Sequence, residues 1–164
     1  MIILPTLPES TVEPRTAIEN HVLDKLKDEY GKVFNITKYY KTANEEIYDD
    51  CKKMVQGGVP NWLIRTRRID TDEISPMEVS DWHITRLEII SVCTVGIEKN
   101  VENVDRYVYV MHELSREILR RSENRIKLPR NTKRPFYFVG SRDIFRNDDL
   151  DIILSEYNVT YIKF

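Results

Sequence analysis

The chain has 164 residues, enough for one domain that buries about two-thirds of its unfolded surface without disulfide or metal staples. Its 25 basic and 27 acidic residues leave a net charge of −2, so overall charge selects neither nucleic acid nor an anionic membrane as partner, and what matters is where the charges sit. The two cysteines, Cys51 and Cys93, each lie inside an apolar pattern; they read as buried thiols of a reducing compartment and argue against a disulfide framework.

The opening residues Met1 to Leu4 are apolar but carry no basic leader and run into Pro5 and Pro8, so no signal peptide is expected, and no later run is long enough to span a bilayer. The expected location is therefore a cytoplasm. Residues 1–13 read as an extended arm that lies along its own domain or is disordered, in preference to packing on a neighbouring subunit, and residues 14–164 as one α+β domain. Pro14 suits a first helical turn, and Ile18, Val22, Leu26 and Tyr30 share a face before Gly31 supplies a stop, which predicts a first helix.

Val33 to Tyr40 is β-branched and aromatic with rough alternation, as a strand requires. Asn44 is a candidate cap for a short second helix that places Ile47, Cys51, Met54 and Val55 on one face and ends at Gly57-Gly58. Two long runs follow, Trp62 to Ile69 and Trp82 to Ile97, which predict an antiparallel hairpin. The second run changes apolar parity between Ile84 and Leu87, so a bulge or bend is expected there. From Val104, the residues Tyr107, Val108, Met111, Leu114, Ile118 and Leu119 recur at helical spacing, with Asp105 near the start and Arg120 and Arg121 near the end complementing the macrodipole. This second long helix, about 104–121, should cover one sheet face. Phe136 to Val139 reads as a short strand ended by Gly140. Leu150, Ile153, Leu154 and Tyr157 read as a further helical face behind Asp148-Asp149, and Val159 to Phe164 as a final strand that pins the C-terminus in the sheet. The expected fold class is α+β with a mainly antiparallel sheet.

Chemistry-bearing motifs are sparse. His21, His83 and His112 have no paired metal spacing, and no nucleophile elbow, Walker loop, dinucleotide turn or Cys-x-x-Cys pair occurs, so neither a metal nor a cofactor is expected. A metal-dependent nuclease needs carboxylates and a lysine on adjacent strands, whereas Glu88 is followed by Ile89-Ile90 and the triplet Asp50-Cys51-Lys52 falls in a helical pattern. The acidic pairs Asp49-Asp50, Asp72-Glu73 and Asp148-Asp149 read as solvated caps and loop acids, not as a glycosidase pair.

Two charged stretches stand out. The segment from Asp70 to Asp81 holds Asp70, Asp72, Glu73, Glu78 and Asp81 with no basic residue, and follows Arg65, Arg67 and Arg68 on their strand. It reads as a soluble hairpin tip, or as a loop that meets a basic partner or lines a channel where like charge repels DNA. From Arg116 to Arg134 the basic residues Arg116, Arg120, Arg121, Arg125, Lys127, Arg130, Lys133 and Arg134 face only Glu117 and Glu123, eight against two. Such a stripe grips phosphate or an acidic neighbour. No aromatic residue falls between Tyr109 and Phe136, so the stacking platforms of a single-strand binder are missing from it. An acidic loop and a basic stripe on one chain are what head-to-tail association in a ring uses.

The order of elements, an N-terminal helix, a strand, a long hairpin with a charged loop, a covering helix and a terminal strand, resembles the tail terminator proteins of long-tailed bacteriophages over most of residues 12–164. The resemblance implies a non-enzymatic subunit of a hexameric ring in the virion. Such a ring caps the tail tube, joins it to the head connector and neck, and lets DNA pass through its lumen. It would set the acidic loop toward the tube or lumen, and Arg65, Arg67, Arg68 and the basic stripe at subunit or ring-to-ring contacts. The Gly57-Gly58 helix and the helix expected near Leu150 depart from that pattern and leave open a related neck or head-completion protein. The other class of function is a nucleic-acid-binding or nuclease-like accessory protein that uses the stripe 116–134.

Overall fold

The computed structural model describes residues 2–4, 13–69, 82–98 and 106–162. Helix α1 spans Pro14–Tyr30, with Pro14 in its first turn and Ile18, Val22 and Leu26 fully buried, as the 3.6-residue spacing requires. Strand β1 is shorter than expected, Asn35–Lys38. Helix α2 follows at Ile47–Met54 and strand β2 at Asn61–Arg68. Asn44 is not the side-chain cap of α2; its carbonyl accepts the Ile47 N–H, and its side chain is taken by Arg65. Met54 turns outward, and Ile47, Cys51 and Val55 supply the buried face.

Strand β3, Trp82–Thr94, pairs antiparallel with β2 to form the expected hairpin, and a four-residue helix α3, Val95–Glu98, ends the run. The bulge expected between Ile84 and Leu87 is not formed: β3 runs in unbroken register with β2 and with the last strand. The parity change has another cause. Both faces of β3 are covered along much of its length, and Thr85 takes a core position beside Leu87, its hydroxyl 3.0 Å from that of Tyr161.

Helix α4, Tyr107–Arg120, buries Val108, Met111, Ile118 and Leu119; Asp105 lies outside the described residues. A 3-10 turn, Ser122–Asn124, leads into a small hairpin of β4, Ile126–Lys127, and β5, Lys133–Arg134. Strand β6 covers Tyr137–Arg146, so it does not stop at Gly140 but passes through it with a register shift. The helix expected around Leu150 is a strand: β7 spans Leu150–Ile162, thirteen residues. The acidic pair before it lies in a turn in which Asn147 Oδ1 accepts the N–H groups of Asp149 and Leu150, each at 2.8 Å.

The main sheet has the order β1-β2-β3-β7-β6, with β1 and β2 parallel and every other pair antiparallel, so the fold is α+β with a mainly antiparallel sheet. Its first face carries Trp62, Ile64, Leu87, Ile89, Ile153, Tyr157 and Val159 against α1 and α4. The second face is divided. Toward one end Leu63, Ile90, Val92, Leu150, Ile152 and Leu154 meet Ile47 and Cys51 of α2 and Val55 just after it. Toward the other, the same rows continue as Arg65 and Arg67, Glu88 and Arg86, and Glu156 and Asn158. Burying each large apolar side chain contributes about 1.5–3 kcal/mol, which is why β3 and β7, apolar on both sides, anchor the sheet.

Candidate assembly surfaces

On the charged half of the second face, alternation along β2 places Arg65 and Arg67 on the same side, opposite Glu88 of β3. Arg65 and Glu88 are each only 5% exposed at their side chains, with Nη2 3.4 Å from Oε2. The Arg65 guanidinium also donates to the Lys41 carbonyl at 3.1 Å and to Asn44 Oδ1 at 2.7 Å. Its buried Nε finds no hydrogen-bond partner among the described residues. Arg67 Nε reaches the other Glu88 oxygen at 3.3 Å. Next along the sheet, Arg86 binds Glu156 and donates to Asn158 Oδ1 at 2.7 Å, while Arg142 lies 3.6 Å from Glu156.

Beside this band, Tyr39 donates to Asp50 Oδ2 at 2.7 Å, and Lys41 bridges Glu46 at 2.5 Å and Asp50 at 3.0 Å. Burial first, and then the bond to Asp50, pushes the Tyr39 hydroxyl up to about 12. The same Tyr39 bond, followed by Lys41, lowers the Asp50 carboxyl, and Glu46 followed by Asp50 raises the Lys41 ammonium. Burial likewise pushes the Cys51 thiol up to about 12, so it behaves as a core side chain and not as a nucleophile.

The first face holds buried polar contacts that no sequence motif announces. Asp151 is fully buried and is held by Arg106 and Arg146. Under α4, His112 Nδ1 is 2.5 Å from Ser155 Oγ, and its Nε2 is 3.5 Å from Glu113. Serine, histidine and carboxylate thus meet, but with the serine on Nδ1 and beneath the helix, fully buried, where no substrate reaches it. Burial, the dominant cause, lowers the His112 pKa.

The basic stripe is broken up by packing. Arg116 lies over the Phe138 ring at 4.0 Å, Arg120 pairs with Glu117, and Arg121 pairs with Glu29 of α1. Arg134 lies over Trp82 at 5.2 Å and donates to the Thr160 carbonyl at 2.7 Å. Arg125, Lys127, Arg130 and Lys133 remain exposed on and around the β4–β5 hairpin, with no ion pair among the described residues. That hairpin is firmly held. Buried Asn131 donates to the Ile162 carbonyl at 3.0 Å and accepts the Ile162 N–H at 2.7 Å, extending the edge of β7 by a side chain. Arg130, beside it at the turn, sits in the left-handed region at φ 59°.

Of the residues singled out in sequence, Arg65 faces inward, Arg67 and Arg68 are exposed, and Arg67 is tied to Glu88. Asp70, Asp72, Glu73, Glu78 and Asp81 lie outside the described residues. Sequence reasoning missed Glu88, Arg86 and Glu156 as one network; like-face alternation across β2, β3 and β7 is the signal that connects them. Among the described residues no group of three or more His, Cys, Asp or Glu side chains is arranged to hold a metal ion.

No family model matches the chain, and no curated protein matches it. Among solved structures, a crystal structure from Akkermansia muciniphila is similar at 12% identity over 94% of this chain and 82% of that one, with a TM-score of 0.36, an overlap too loose to carry an inference about fold or function.

Proposed function

We propose that the chain is a structural subunit that associates head to tail into a ring and works through surface complementarity, not catalysis. The observation that carries this reading is the β4–β5 hairpin, a rigid element bearing Arg125, Lys127, Arg130 and Lys133 exposed and without ion pairs among the described residues. The chain as a whole is slightly acidic, and five of its acids lie between Asp70 and Asp81 without one base. Opposite patches on one chain favour heterologous contacts, and these close into rings when the rotation permits.

The specific role we assign is that of a phage tail terminator or neck subunit, capping the tail tube and joining it to the head connector in the virion. The order α1, β1, the β2–β3 hairpin, α4 and a last strand supports this role, as does the charged segment between β2 and β3. Arg67 and Arg68, at the base of that segment, would serve subunit contacts. Arg65 would hold the hairpin in shape from inside. Solution mass by light scattering across concentration and salt tests the reading. A species of about six subunits that falls apart with salt supports it, and a monomer at every concentration, unable to cap purified tail tubes, contradicts it.

The same four cations support a second reading, nucleic-acid binding through phosphate contacts. Four such contacts would give a log–log salt slope of about −3.6 on duplex DNA, and Lys127→Glu would weaken binding on every sequence alike. An affinity for DNA that is weak and indifferent to salt excludes it.

A further inference from the structure

The charged half of the second face carries more cations than anions. Four guanidiniums, Arg65, Arg67, Arg86 and Arg142, stand there against two carboxylates, Glu88 and Glu156, with the group of Lys41, Glu46 and Asp50 beyond Arg65 on the β1 side. The carboxylates form a floor, 5% and 16% exposed, whereas the Arg67 and Arg142 side chains are 48% and 59% exposed. Arg86 lies between these two: it is the direct cross-strand partner of Arg67 on β2, and it shares Glu156 with Arg142 of β6. Like charges set opposite each other on neighbouring strands repel, a cost that a further anion would offset.

The floor sets the direction of the three outer guanidiniums. Arg67 and Arg142 turn Nε toward Glu88 and Glu156, at 3.3 and 3.6 Å, and Arg86 donates Nε to Asn158 Oδ1 at 2.7 Å and Nη1 to Glu156. The Nη groups of Arg67 and Arg142 and Nη2 of Arg86 make no hydrogen bond among the described residues, so they are left for another acceptor. Gly140, opposite Glu156 on β6, puts no side chain over the floor, and a Cβ there would meet nothing within 4 Å. Tyr137, 54% exposed, lies in the row of Arg86 beyond Asn158, about two strand spacings or 10 Å away.

We propose that this surface binds a phosphate monoester, with the phosphate above Arg86 between Arg67 and Arg142 and the organic part against the Tyr137 ring. A guanidinium fork fits carboxylate and phosphate alike. Three forks on one group, however, call for more acceptor oxygens than a carboxylate has. A surplus of two positive charges, four guanidiniums less two carboxylates, matches a phosphate monoester at about −1.5 to −2 near pH 7 better than a singly charged phosphodiester. The carboxylates beneath hold the forks in place before a ligand arrives, which lowers the ordering cost of binding. The site is complete within one chain, so the inference goes beyond the ring reading and does not depend on it.

The test is a magnetic-resonance titration of the isotope-labelled full chain with inorganic phosphate, with adenosine monophosphate as a monoester that carries a ring, and with a single-stranded oligonucleotide lacking a terminal phosphate. Resonances of Arg67, Arg86 and Arg142 should shift saturably with the first two, adenosine monophosphate binding with a Kd of about 1 mM or below. Arg142→Gln, at an exposed position, should weaken both by about tenfold with unchanged melting, and Arg86→Lys, which keeps the charge and loses the fork, should weaken both as well. Tyr137→Ala should weaken adenosine monophosphate alone, and Lys127→Glu/Lys133→Glu on the β4–β5 hairpin should leave both unchanged. No saturable shift at these arginines, or binding that survives Arg142→Gln and vanishes in the hairpin variant, overturns the site. Shifts with the oligonucleotide alone overturn the monoester and put a nucleic-acid backbone in its place.

Discussion

Arg65 and Arg130 carry the same charge and sit in opposite physical situations. Arg65 is enclosed, its guanidinium shared among Glu88, Lys41 and Asn44 on the second face of the sheet, while Arg130 stands at an exposed turn in a left-handed conformation with no acid beside it among the described residues. A buried, paired charge shapes the molecule, and removing its partner strands it at high cost. An exposed, unpaired charge contributes almost nothing to folding and is free to meet another surface. The contrast separates the charges that hold the fold from those that stay at the surface.

The largest expected effect comes from breaking the enclosed side. Glu88→Ala leaves Arg65 buried beside an empty site and should cost about 3–5 kcal/mol in chemical denaturation. A loss below about 1 kcal/mol would mean that water or a rearranged neighbour takes over the charge. Asn131→Ala removes the two bonds that tie the basic hairpin to Ile162 and should cost about 1–3 kcal/mol, with faster amide exchange confined to residues 126–134.

A pH dependence follows from the buried histidines. Burial lowers the pKa of His112 and of His21 below the ordinary 6.5, so between the lowered values and 6.5 the unfolded chain binds more protons than the folded one. Stability should therefore rise with pH through that window and fall as acidification carries the pH down through it, with no further loss from these two groups below it. In His112→Gln the slope between pH 5 and 6.5 should be shallower than in the wild type; equal slopes would exclude His112 as a source. The smallest effects belong to the exposed hairpin. Arg130→Gly, which relieves the positive φ, should leave stability within about 1 kcal/mol or raise it slightly. Reversal of Arg125, Lys127 and Lys133 to Glu should shift stability by no more than about 0.5 kcal/mol per site.

How much of this was legible in the sequence depends on how many faces of each element are covered. Helices α1 and α4 bury one stripe each, so Ile18, Val22 and Leu26, or Val108, Met111 and Ile118, kept the helical period and were readable. Strand β7 is covered on both faces, with Ile152 and Leu154 toward α2 and Ile153 and Tyr157 toward α4. Its apolar residues therefore lose the period of two, and Leu150, Ile153, Leu154 and Tyr157 imitate a helix. The β-branched run around Ile152 and Ile153 was the available counter-signal. The basic stripe was visible as composition, but its division into four engaged arginines and an unpaired hairpin was not. That division depends on Phe138, Glu29 and Thr160, which approach from other parts of the chain.

The most direct test of the account is the solution mass of the wild type beside Arg125→Glu/Lys127→Glu/Lys133→Glu, measured by light scattering over a range of concentration at low and high salt. The account predicts a concentration-dependent ring of about six wild-type subunits that salt weakens and the triple reversal abolishes, with both proteins melting alike. A wild type that stays monomeric throughout, or an assembly unmoved by both salt and charge reversal, would contradict it.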